Sequence, residues 1–151
     1  MIIYTASWLT PLPPEIQRIG ISRGTPRKYP AGYRRLRDLM PGQWFKSVSP
    51  AEYVELYHAE ILARLDLQDV LRRIEVLAEG SEGAALLCYE RPPFSIARGN
   101  WCHRRMAASA LERELGVEIP EYLAPGQAIG DSVPVGAGIG DWRALMRPAQ
   151  G

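Results

Sequence analysis

Gly83-Ala84-Ala85-Leu86-Leu87-Cys88 is the stretch that decides the fold. Five apolar residues follow a glycine, and Pro92-Pro93 closes the segment a few residues later. A run this short, without alternation, has the pattern of a strand covered on both faces. Such strands belong to parallel sheets, which need crossover segments to join them.

The segments on either side supply those crossovers. Ile2-Ile3-Tyr4-Thr5 is apolar and β-branched and reads as a first strand. Pro11, Pro13 and Pro14 forbid a regular element after it. Ile19-Gly20-Ile21 is a short second strand, ending at the turn signal Ser22-Arg23-Gly24-Thr25-Pro26. Residues 24 to 47 read as a long basic loop. Ser49-Pro50-Ala51-Glu52 is a capping box with proline at the first helical position. Val54, Tyr57, Ile61 and Leu65 form the stripe of the helix it starts. Asp66 caps a second helix, buried through Leu67, Val70, Leu71, Ile74 and Leu77, with Gly80 at its end. A third helix is expected from about Trp101 to Leu115, with Met106, Ala107, Ala110 and Leu111 inward and Gly116 as its stop. Val117-Glu118-Ile119 reads as a last strand. This order gives an α/β fold, a three-layer sandwich with a mainly parallel sheet over residues 1–123. Residues 124–151 are rich in glycine and proline and are expected to be extended or mobile, with Trp142, Leu145 and Met146 as a possible anchor.

The chain has 151 residues, 46% hydrophobic and 23% charged, which suits one ordinary globular domain. Its start lacks a basic leader with a long apolar stretch, and no apolar run reaches the ~20 residues of a membrane span. Two cysteines are too few for a secreted scaffold, so the expectation is cytoplasm with both thiols reduced. The net charge of +1 is unevenly placed. Arg18, Arg23, Arg27, Lys28, Arg34, Arg35 and Arg37 fall in one segment without a single acid. Such asymmetry points to a local anionic partner.

Ligands of parallel sheets sit beyond the carboxyl ends of the strands. That rule selects Cys88-Tyr89-Glu90, and with it Cys102-His103-Arg104 in the first turn of the next helix, with Asn100 as N-cap. The first turn offers free N–H groups and the positive end of the helix dipole, which favour an anion and a thiolate. The pattern assigns catalysis to Cys102, His103 and Glu90: a nucleophile, an acid/base and its partner. Phosphate falls to Arg23, Arg104 and Arg105. Cys88 and Tyr89 border the site, and Cys88 should lie within about two helical turns (~11 Å) of Cys102. Each residue has a structural alternative. A cysteine ending a buried strand is ordinarily a small core residue, His103 can satisfy a buried hydrogen bond, and Glu90 can bridge to an arginine.

In the basic loop, Arg27, Lys28, Tyr29, Arg34, Arg35 and Arg37 combine cations with an aromatic ring, and Tyr33 and Trp44 lie nearby. That composition suits nucleic acid, whose bases stack on rings, although clustered arginines can also be a solvated face. No metal is assigned, because adjacent Cys-His ligands on one helix point about 100° apart. Gly136, Gly138 and Gly140 follow no strand and make no dinucleotide loop, so no cofactor is assigned. His58, on an amphipathic helix near Tyr57, reads as a solvated or half-buried residue rather than a catalytic one.

Leu86-Leu87-Cys88-Tyr89-Glu90, a loop, and Cys102-His103-Arg104 resemble the family catalogued as domain of unknown function four-eight-eight. Ile19-Gly20-Ile21-Ser22-Arg23-Gly24, and Leu39-Met40-Pro41 with the helix carrying Tyr53, follow the same layout over about residues 1 to 122. The resemblance implies an α/β sandwich in a cytoplasmic bacterial or phage setting, and implies no activity. The loop from Arg91 to Trp101 is longer than that family usually has. Three functional expectations result. The first is an enzyme acting on a phosphate-bearing substrate, a nucleotide or nucleic acid. The second is a non-catalytic module binding nucleic acid or protein through the basic loop. The third is a thiol-redox or metal-binding protein. Oligomeric state is left open.

Overall fold

The apolar run occupies the middle of the sheet. In the computed structural model, which describes residues 1–29, 31–95 and 98–130, strands β1 (Ile2–Ser7), β2 (Ile16–Gly20), β3 (Arg34–Arg35) and β4 (Gly83–Cys88) form one parallel sheet in the order β1-β4-β2-β3. Every residue of β4 is buried. β1 pairs with it from Ile2↔Gly83 to Ser7↔Cys88, and β2 from Ile16↔Gly83 to Gly20↔Leu87. Gly83 is required at the start, because a Cβ there would meet the Ile2 carbonyl oxygen at 2.6 Å.

Strand alternation sends Ala84 and Leu86 to one face and Ala85 and Leu87 to the other. The first face packs with Ile3 and Ile19 against α1 (Pro50–Leu56), α2 (Leu67–Leu77) and α3 (His103–Leu115), through Val54, Val70, Ile74, Met106 and Leu111. The second face is covered too, but among the described residues its cover comes from loops. Trp8, fully buried, is surrounded there by Leu12, Tyr29 and Tyr33, with Tyr122 on the same face. Among the described residues the sheet thus has one helical layer and one aromatic loop layer.

Local signals set the helix ends. Ser49 Oγ accepts from Glu52 N and donates to the Glu52 carboxylate. Asp66 accepts from the N–H groups of Gln68 and Asp69. Gly116 ends α3 at φ 67°, a left-handed conformation that glycine adopts without strain. After Leu56 the stripe continues through a π turn, Tyr57–Ile61, and a 3₁₀ turn, Leu62–Arg64. The Tyr57 hydroxyl donates to Leu39 O there, tying the turn to the basic loop.

Three expectations are corrected. The second strand lies at Ile16–Gly20, earlier than Ile19–Ile21. Val117–Ile119 is no strand, because Ile119 N donates to the Glu112 side chain and contact with β1 is a bridge at Thr5↔Glu121. The loop over residues 24–47 is not featureless, since it holds β3 and 3₁₀ turns at Arg37–Leu39 and Gln43–Lys46. Residues 124–130 dock on the site loop, with Phe94 N donating to Ile129 O and Gln127 Nε2 to Pro92 O. Trp142, Leu145, Met146 and the tail glycines from Gly136 on lie outside the described residues. No helix among the described residues is long and apolar enough to cross a membrane.

Candidate functional site

The carboxyl ends of β4 and β2 meet the start of α3, as parallel-sheet topology requires. Cys88 closes β4, and Cys102 is the N-cap of α3. Cys102 and not Asn100 is the cap. Its backbone is extended (φ −142°, ψ 144°), and its carbonyl receives Arg105 N. The Asn100 amide instead donates to the carbonyls of Arg91 and Pro93 and folds the long loop on itself.

Cys88 and Cys102 are joined as a disulfide with Cα atoms 7.1 Å apart. This meets the spacing expected of the pair. Both line a pocket of about 230 Å³ whose wall also holds His103, Glu90, Tyr53 and Arg23.

His103 is buried. Its Nε2 lies 2.9 Å from Ile21 O and its Nδ1 3.8 Å from Cys102 Sγ. A carbonyl only accepts, so Nε2 carries the proton and the Nδ1 lone pair faces the sulfur. Burial pushes its pKa down to about 4, assisted by the charge of Arg104 and opposed by the Ile21 hydrogen bond. The ring is therefore neutral at pH 7. It packs against Tyr57 at 5.3 Å between centroids. The partner fixing its orientation is Ile21 O, not the Glu90 expected from sequence.

Arg104 and Arg105 turn inward, which corrects their assignment to phosphate. Arg104 is fully buried and clasps Glu121 through Nε–Oε1 at 3.0 Å and Nη2–Oε2 at 2.7 Å. Its Nη2 also donates to Glu90 O, and its Nη1 to Cys88 Sγ at 3.1 Å. The guanidinium lies over the Phe94 ring at 5.0 Å. The cation expected beside Cys102 thus sits on Cys88. Arg105 donates to Thr5 Oγ1 and Ile119 O, both at 2.8 Å. Thr5 Oγ1 in turn donates to Glu121 at 2.7 Å. Glu121 is the anchor that sequence reasoning missed. The available signal was that two adjacent arginines on a buried helix need a carboxylate.

Glu90 is half-buried, and burial raises its carboxyl above the usual range against the opposing pull of its own backbone N–H and of Arg104. Tyr53, not singled out from sequence, joins the pocket wall. Its hydroxyl pKa is raised by burial and then by the Glu90 charge. Tyr89 stays exposed beside them, raised by partial burial and lowered by Arg35.

The basic loop divides. Arg23 is exposed at the pocket, its Nη1 donating to Pro41 O at 2.8 Å. Arg35 donates to Arg23 O. Arg27, Lys28, Arg34 and Arg37 face solvent. Tyr29 packs edge-on against Trp8 at 4.9 Å and Tyr33 against the same indole at 5.3 Å, and Trp44 sits on Tyr53 at 5.0 Å. Packing of the sheet's second face and of the pocket wall occupies the rings that sequence assigned to base stacking. No family model, curated protein or solved structure matches this chain.

Proposed function

We propose that the pocket carries a thiol–disulfide couple, Cys102 and Cys88, that exchanges with a small disulfide-bearing substrate. The observation carrying this reading is the direct sulfur contact between a helix N-cap and a strand end inside one pocket, with His103 Nδ1 on one sulfur and Arg104 Nη1 on the other.

The division of labour follows from those neighbours. In the reduced state the Cys102 thiol donates a hydrogen bond to Nδ1 of the neutral His103, and once that thiol loses its proton the start of α3 stabilises the thiolate. Arg104 stabilises charge on Cys88. Cys102 attacks a sulfur of the substrate disulfide, that bond breaks, and the first substrate thiolate leaves and takes up a proton. Cys88 then attacks Cys102 Sγ and releases the second thiolate, which is protonated in turn. Two protein thiols are oxidised to one disulfide while the substrate is reduced to two thiols.

The test uses glutathione disulfide with the reduced protein. Cys88→Ser should trap a mixed disulfide on Cys102, visible by mass, and Cys102→Ser should trap none. If neither variant captures glutathione, the proposal fails. A phosphate-bearing substrate keeps only Arg23 of its three arginines at the pocket and ranks below this reading. The solvent-facing Arg27, Lys28, Arg34 and Arg37 support a separate second reading, contact with a nucleic-acid backbone.

A further inference from the structure

We propose that the reduced site binds one soft divalent metal ion of the zinc class through Cys88 Sγ, Cys102 Sγ and His103 Nδ1. It rests on the thiol reading in one respect, that both cysteines can be reduced.

The ligand atoms lie within 4.8 Å of one another, and all three side chains are buried. Around a tetrahedral Zn²⁺, sulfur at about 2.3 Å and nitrogen at about 2.0 Å place neighbouring ligand atoms roughly 3.5 Å apart. The Cys102 Sγ to His103 Nδ1 distance of 3.8 Å already suits that spacing. Sequence spacing argued against a metal because neighbouring residues on a helix diverge. Cys102, however, is the N-cap with extended backbone, so its side chain and that of His103, the first helical residue, converge.

Two further contacts complete the arrangement. Nε2–H on Ile21 O fixes the tautomer that leaves Nδ1 free to ligate, the outer-shell contact that metal-bound histidines make. Arg104 Nη1 donates to the Cys88 sulfur, as a hydrogen bond to a metal thiolate would. Two thiolates and one neutral imidazole cancel the charge of a divalent ion, which a buried site tolerates. Three protein ligands leave a fourth position, and the pocket supplies space for it. Metal and disulfide exclude each other, because oxidation removes both thiolates.

The full chain, reduced with a phosphine and desalted without oxygen, is titrated with Zn²⁺ against a chromophoric chelator, and with Co²⁺ as an optical probe. One equivalent should bind, with a thiolate-to-cobalt charge-transfer band, and bound zinc should block alkylation of both cysteines. The oxidised protein should bind none. Cys88→Ser and Cys102→Ser should each weaken binding at least about 100-fold, and His103→Asn at least about tenfold, since even outer-shell changes lower affinity by roughly 10–100-fold. The cobalt spectrum and the alkylation block use the unaltered chain, so a variant that misfolds does not remove the test. If the reduced protein takes up no metal while its disulfide still forms and opens, this inference is overturned and the exchange reading stands. If zinc binds through both thiols but no disulfide ever forms, the exchange reading falls and the metal site stands.

Discussion

Lowering the pH should destabilise the oxidised protein through His103, by an amount the structure sets. The imidazole is neutral in the fold because burial holds its pKa at about 4, against 6.5 for an ordinary histidine. Between those values the unfolded chain binds a proton that the folded chain refuses, so stability rises with pH across this window. The contribution is complete above pH 6.5 and is lost progressively as the pH falls toward about 4. At about 1.4 kcal/mol per pH unit, the gap amounts to about 3 kcal/mol. Carboxylates titrate in the same window, and Glu90, raised by burial, contributes with the opposite sign. Comparison with a non-titrating variant removes these common terms. His103→Gln is suited to this, because its Nε2 amide lies near the position of the imidazole Nε2 and keeps a donor for Ile21 O. Urea unfolding of both oxidised proteins from pH 7.5 to 4 should show the wild-type advantage shrinking by about 2–3 kcal/mol. Parallel stability curves would refute the buried neutral imidazole, and with it the assignment of Nδ1 as the atom facing Cys102.

Further outcomes follow from the surrounding packing. Leu86→Ala in the central strand should lower unfolding free energy by about 2–5 kcal/mol in chemical denaturation, because the site is enclosed by the sheet and the helical layer. Glu121→Gln should destabilise by about 3–5 kcal/mol by leaving Arg104 buried without its charge partner, while joint replacement of Arg104 by Met and Glu121 by Leu should recover much of the loss. For the basic loop, oligonucleotide affinity should fall with added salt. Neutralising Arg27, Arg34 and Arg37 should flatten that log–log slope by about 2–3, whereas an unchanged slope removes the loop from phosphate contact. Tyr29→Ala should lower the melting temperature more than it lowers that affinity, since its ring belongs to the Trp8 cluster.

Local chemistry made much of the fold legible. The apolar run Ala84–Cys88 marked the central strand because a strand flanked and covered on all sides has no polar position. Ser49, Asp66 and Gly116 marked helix ends because capping needs only neighbouring residues. The site's location was legible for the same topological reason, as the carboxyl end of β4 and the start of α3 do meet. What failed depended on tertiary placement. Arg104 and Arg105 read as phosphate-binding cations, but the first turn of α3 is buried and gives them internal partners. Glu121 lies beyond α3, and the return of the chain to Thr5 brings it to Arg104. Tyr29 and Tyr33 carried the composition of a stacking surface, yet among the described residues the sheet's second face is covered by loops and takes them as part of that cover. Asn100 outranked Cys102 as a cap by propensity, but its amide was claimed by the carbonyls of its own loop.

The most direct test of the thiol couple is quantitative alkylation of the full chain after equilibration in glutathione buffers of stepwise oxidising poise. Each sample is quenched and weighed by mass spectrometry. The account predicts two populations, one with both cysteines labelled and one with neither, exchanging in proportion as the poise changes, and in Cys88→Ser replacement of the unlabelled population by one carrying a single glutathione. A protein labelled at both cysteines at every poise, or one that accumulates glutathione on single cysteines without closing the Cys88–Cys102 bond, would contradict it.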